Sequence, residues 1–193
     1  QQKQWQWQID RIESVGITEN VVDLIVAKLR KLPKITQQVL RLAACLGNSF
    51  DLDTLSIIYE KSAPETFRDL VPAMQSGSIE PLSALETTVA APIESSLFIQ
   101  NYKFLHDRIQ QAAYILIDED RKKAIHLQIG RLLLANLNEA ERNNKIFILV
   151  DLLNEGRVLI ESEDEKIVLA KLNLQAGIKA KKATAYVASR NYL

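Results

Sequence analysis

A mainly α-helical chain is predicted, and three observations predict it. Apolar residues recur at helical spacing through most of the 193 residues. Helix punctuation is dense: Ser62-Ala63-Pro64-Glu65 has the form of a capping box, Asp51, Asp118 and Ser162 stand at helix starts, and Gly47 and Gly77 close apolar stripes. Only residues 78–106 lose that period, and there IEPL and LFIQNYKFL read as strands.

In chain order, Trp5, Trp7 and Ile9 first alternate with glutamines, the period of a half-buried strand. Its partner is expected upstream of residue 1, or its apolar edge rests on the helices. Left bare, that edge makes self-association a liability. A first helix is predicted with Thr18 as N-cap and Val21, Leu24, Ile25, Leu29 and Leu32 as its stripe. Pro33 ends it or opens the next. The second helix, 35–46, places Val39, Leu42, Ala43 and Leu46 on one face. The third starts at Asp51 and carries Leu52, Leu55, Ile58 and Tyr59. The fourth follows the capping box with Phe67, Leu70, Val71 and Met74, and Pro72 is expected to bend it.

The stretch SALETTVAAPIESS between the two strands is a loop at the long end of the usual range. Three short helices followed by a long-looped hairpin form a winged-helix pattern, a helix-turn-helix plus β-wing, assigned to residues 19–106. From 107 the helical period returns at about 107–116, 119–136, 142–154, 163–182 and 184 onward. Ala170, Ala176, Ala180, Ala183, Ala185 and Ala188 let the last two helices approach closely, as in a TPR-like antiparallel helix array.

Composition narrows the function classes. Lys+Arg and Asp+Glu are equal at 24. Acids exceed bases by two up to residue 106 and the reverse holds beyond it, an asymmetry too small for a nucleic-acid or anionic-membrane surface. The fourth helix, the recognition position of a winged helix, sets Lys61 and Arg68 against Glu65 and Asp69 and so has no basic face. Lys28, Arg30, Lys31 and Lys34 cluster near Pro33, where a helix end favours positive charge in any case. No apolar run is long enough to span a membrane, and a cytoplasmic location is expected. The lone Cys45 lies in an apolar helical pattern and reads as a buried thiol.

No phosphate-cradling GxxxxGK[ST], no G-x-S-x-G turn and no metal-spaced cluster occurs; His106 and His126 are twenty residues apart. No catalysis is expected from this stretch itself. The missing initiator Met and the ending in mid-pattern, AYVASRNYL, lead to the expectation of a piece of a longer chain.

NVVDLIVAKLRKLPKITQQVLRLAACLGNSFDLDTLSII, YKFLHDRIQQAAYILI, HLQIGRLLLAN and LAKLNLQAGIKAKKATAYVAS resemble, in that order, the AAA/STAND-type ATPase module of bacterial multi-sensor signal-transduction kinases. FLHDRIQQAAY is the most specific piece, and the resemblance covers nearly the whole chain. In that family a serine/threonine kinase domain precedes the ATPase, and helical repeats, a GAF sensor and a histidine kinase often follow. The resemblance implies that residues 1–18 are the tail of the ATPase lid region, 19–106 the winged helix, and 107–193 the start of the repeats. It places the P-loop and the acidic Mg²⁺ residue upstream, so ATP or ADP with Mg²⁺ belongs to the parent protein and no cofactor to this stretch. The implied partners are the upstream P-loop domain and the downstream repeats and kinase domains.

By the same resemblance His106 occupies the position of a histidine that reaches back to the β-phosphate of ADP and holds a closed state. An imidazole N–H can donate to a phosphate, the following helix start favours anions, and Arg108 is placed to supplement it, with Asp107 expected to cap the helix. The plain alternative is that His106 caps the helix or satisfies a local carbonyl. Two other functions stay open: a protein–protein interaction scaffold with no nucleotide contact, and, disfavoured by charge, a DNA-binding winged helix. His126, mid-helix in KKAIHLQIGR, reads as a packing residue.

Overall fold

The computed structural model describes residues 17–82 and 100–193. The expected Trp5/Trp7/Ile9 strand and the SALETTVAAPIESS loop lie outside the described residues. Those described form ten α-helices, one 3-10 turn and a three-stranded antiparallel sheet, so the chain is mainly α.

Helix α1 (Ile17–Leu29) leads to α2 (Lys34–Leu46), strand β1 (Ser49–Asp51), α3 (Leu52–Tyr59) and α4 (Ala63–Gln75). Strands β2 (Ile79–Pro81) and β3 (Asn101–Phe104) follow. The sheet order is β1-β3-β2, with Phe50 opposite Tyr102 and Ile79 opposite Phe104. The central strand therefore points Tyr102 and Phe104 into the core, where both are fully buried and Phe50 stacks on Tyr102 at 5.8 Å.

Three expectations change here. Thr18 does not cap α1, because it lies inside that helix. The buried stripe of α1 is Val22, Val26 and Leu29, while Val21 and Leu24 face outward, Leu24 at 67% exposure. VVDLIVAKL is apolar in both phases, and the helix turns the phase that meets α5 inward. Strand β1 was not expected: three residues between Gly47 and a helix cap carry no period, and pairing with β3 defines them.

Other local signals act as read. Asp51 caps α3 by accepting the Thr54 N–H at 2.8 Å. Glu65 accepts from the Ser62 N–H (3.1 Å) and hydroxyl (2.6 Å) at the start of α4. The bend expected at Pro72 is a separate matter: Pro72 lies inside α4, which runs as one helix over Ala63–Gln75.

The C-terminal half runs α5 (Asp107–Ile115), α6 (Glu119–Asn136), α7 (Glu139–Asn144), α8 (Ile146–Glu155), the 3-10 turn Arg157–Leu159, α9 (Glu163–Lys182) and α10 (Tyr186–Tyr192). The single helix expected over 142–154 is two. Asn138 and Glu141 form a capping box that starts α7, and α8 restarts at Ile146. Asp118 stands at the N-cap position of α6 without a side-chain capping bond. Ser162 caps α9 by accepting from the Glu165 N–H.

Helix α5 packs on α1 and α2; then α6 packs on α8, α8 on α9, and α9 on α10. Small residues on both sides set the approach of α6 to α8. A Cβ at Gly130 would meet Leu153 Cδ2 at 2.6 Å, and one at Gly156 would meet Leu127 Cβ at 2.5 Å. The two halves share one hydrophobic core and are tied by Lys145 Nζ to Asp51 Oδ2 at 2.6 Å and by Gln110 Nε2 to the Ala44 carbonyl at 2.8 Å.

Candidate functional site

The joint between β3 and α5 places His106 as the N-cap residue of α5, in extended conformation. Its Nδ1 accepts from the Arg108 N–H at 3.1 Å. Asp107, expected to cap, is instead the first helical residue, where its charge still complements the dipole. An Nδ1 that accepts carries no proton, so the neutral ring keeps its proton on Nε2. The exposed ring thus presents an Nε2–H donor at a helix N-terminus, with no partner among the described residues. Arg108 is half-buried as a residue, and its guanidinium donates to Gln111 Oε1 at 3.2 Å at the surface. Capping and anion recognition use different nitrogens of one ring, so the first does not consume the second.

A second place was not singled out by sequence. A cleft of about 330 Å³ opens where the C-terminal end of α2 meets α5, α6 and α8. Cys45 lies in its wall, half-buried, its thiol pushed up to about 12 by burial. His126 lines it too and is 7% exposed. Its Nε2 lies 2.9 Å from Tyr114 Oη, and its Nδ1 has no partner. Burial lowers its pKa, Glu155 opposes that shift and Lys122 adds to it. No pattern in KKAIHLQIGR marks this histidine, because the cleft's other walls come from three distant segments.

No group of His, Cys, Asp and Glu fit to hold a metal ion occurs among the described residues. No described helix is long and apolar enough to cross a membrane.

The chain is similar to part of a signalling kinase. It is 34% identical over 227 aligned positions to hybrid signal transduction histidine kinase G of Dictyostelium discoideum. The alignment covers 97% of this chain and 7% of that protein, so the chain spans a small part of its relative's length. No family model matches the chain, and no solved structure matches it.

Proposed function

We propose that this chain is a regulatory and interaction segment of a signal-transduction kinase, coupling the nucleotide state of an upstream P-loop domain to helical repeats downstream. The similarity along nearly the whole chain to a hybrid histidine kinase carries the reading. In it, α2 to α4 with the β1-β3-β2 sheet are a winged helix, and α6 to α10 begin a TPR-like array; the helix–strand–helix–helix–strand–strand order supports the first and the successive packing of α6, α8, α9 and α10 the second.

His106 is the contact to the β-phosphate of ADP. The Nε2–H it presents at the start of α5 supports this, since donor and helix dipole favour the same anion. Arg108 supplies charge once it leaves Gln111. The bistable element is the sheet-plus-α5 unit, docked on the nucleotide domain with ADP and released without it.

The test is calorimetric binding of ADP to the parent protein with its upstream domain, wild type against His106→Ala. A loss of about tenfold with the fold retained supports the nucleotide contact. Equal binding removes it and leaves the scaffold reading. That second reading has an observation of its own: Ile167, Leu174 and Ile178 on α9 and Val187 on α10 are exposed. The DNA-binding reading is weakened further, because Lys61 pairs with Asp69 at 2.9 Å.

A further inference from the structure

We infer that the exposed face of α9 docks a second copy of this chain, the two α9 helices lying antiparallel across a two-fold axis. This gives the exposed apolar residues of α9 a partner and does not depend on the nucleotide contact.

Helix α9 has two apolar faces. Leu169, Leu172, Ala176 and Ala180 are buried on the side that meets α8 and α10. On the opposite side Ile167 and Leu174 are each 51% exposed and Ile178 is 46% exposed, at spacings of seven and four residues. That is the spacing of a seam between two helices. Charge frames the stripe: Glu163 and Asp164 stand in the first turn, Lys181 and Lys182 in the last. Such charges complement the helix dipole by themselves, but a dipole asks for no exposed apolar stripe between them. Asp164, Lys181 and Lys182 have no ion-pair partner among the described residues, and Glu163 has only the exposed Lys166 one turn on.

An interface between two identical copies must be complementary to itself. Helix α9 meets that condition about a point between Leu172 and Asn173. Ile167 lies as far before this point as Ile178 lies beyond it, and the acidic turn lies as far before it as the basic turn beyond. A two-fold axis there sets Ile167 on Ile178 of the second copy and Leu174 beside its own counterpart. It also brings Glu163 and Asp164 onto Lys181 and Lys182 of the second copy, at both ends. A parallel pairing would set acid on acid and base on base. Lys171 is the one discordant residue: it meets its counterpart near the axis, where only its stem packs and its ammonium turns to water. A helix of about 30 Å offers less than the roughly 800 Å² per partner of a standard interface, so the association is weak, with Kd about 10–100 μM.

Sedimentation equilibrium of the 193-residue chain, from about 5 to 500 μM in about 50 mM salt, tests this. The expected result is a monomer–dimer equilibrium. Leu174→Ser, at an exposed position, weakens it more than about tenfold with helix content unchanged in circular dichroism, and Lys171→Leu tightens it about fivefold. The double variant Glu163→Lys, Asp164→Lys repels its own copy, and so does Lys181→Glu, Lys182→Glu; each self-associates about tenfold more weakly than wild type. Mixed one to one, these two variants pair with each other at least as tightly as wild type, which fraying of either helix end could not produce. The inference is overturned if the chain stays monomeric at about 500 μM, which leaves the face to a different partner. It is overturned equally if Leu174→Ser dimerises like wild type, which assigns self-association to another surface, or if the two charge variants do not pair when mixed.

Discussion

Replacing Gly156 by alanine tests the packing of α6 on α8. Gly156 follows α8 at φ −93°, a backbone that alanine accepts, so the effect isolates space. The added Cβ would stand 2.5 Å from Leu127 Cβ, 2.8 Å from the Lys123 carbonyl oxygen and 3.0 Å from Leu127 Cα. Carbon contacts settle near ~3.5–4.0 Å, so the overlap is about 1 Å. No rotamer change relieves it, because the obstructing atoms are backbone or Cβ. Helix α6 must move away, loosening its contact with Leu152 and Leu153. Over-packing costs about 1–3 kcal/mol, and backbone obstruction puts this case at about 2–3 kcal/mol. With a urea slope of about 2 kcal/mol/M, the unfolding midpoint falls by about 1 M. Gly130→Ala is the contrast, since its Cβ meets Leu153 Cδ2 and Cγ at 2.6 and 2.8 Å. A second substitution, Leu153→Ala, removes those atoms and yields a favourable coupling, whereas Leu127→Ala leaves the Gly156→Ala obstruction in place. A Gly156→Ala midpoint within about 0.2 M of wild type, or rescue by Leu127→Ala, refutes the reasoning.

Three more outcomes are expected. Burial opposes ionisation of Asp51, yet Lys145 and Thr54 together hold its carboxyl below the ordinary value of 3.8. Its contribution is therefore full above that value and is lost as pH falls below it; Asp51→Ala costs about 2 kcal/mol at neutral pH in urea unfolding, and Asp51→Asn, which keeps the cap, about 1 kcal/mol. Burial depresses the His126 pKa below 6.5, so the unfolded chain takes up the proton first and stability drops as pH falls through 6.5 toward the folded value; His126→Gln flattens that slope in thermal unfolding between about pH 7 and 5. His106→Ala loses the bond from the Arg108 N–H and lowers stability by about 0.5–2 kcal/mol, whereas His106→Asn, another N-cap acceptor, restores it.

Helices with one apolar phase were legible. LSIIY keeps its expected core face behind the Asp51 cap, and Ser62 and Ser162 mark the starts of α4 and α9, whereas VLRLAACL buries Leu40 and Ala44 beyond the face expected of it and leaves Leu42 half-buried. Helix α1 was misphased because VVDLIVAKL offers two faces, and only the arrival of α5 chooses between them. The start of α7 was written in Asn138 and Glu141, a capping box passed over because EAERNN carries no apolar stripe. Strand β1 had no local signature, since three residues become a strand only through a partner some fifty positions away. At the candidate site, His106 could be located from its strand–helix joint, but which nitrogen faces outward follows from the Arg108 amide. The cleft at His126 was illegible because its walls come from α2, α5, α6 and α8.

The placement of β3 has a consequence for synthesis. It is the last strand made and the middle one of the sheet, so β1 and β2 have no ladder partner until residue 104 has left the ribosome. Until then Phe50 and Ile79 lack the Tyr102 and Phe104 surfaces that cover them. The first four helices form from local contacts, and the sheet waits on a loop closure of some fifty positions, about a quarter of the chain. Translation delayed between codons 82 and 101 therefore holds a nascent chain with its helices made and its aromatic core open, the state in which a chaperone or a neighbouring chain finds exposed apolar surface.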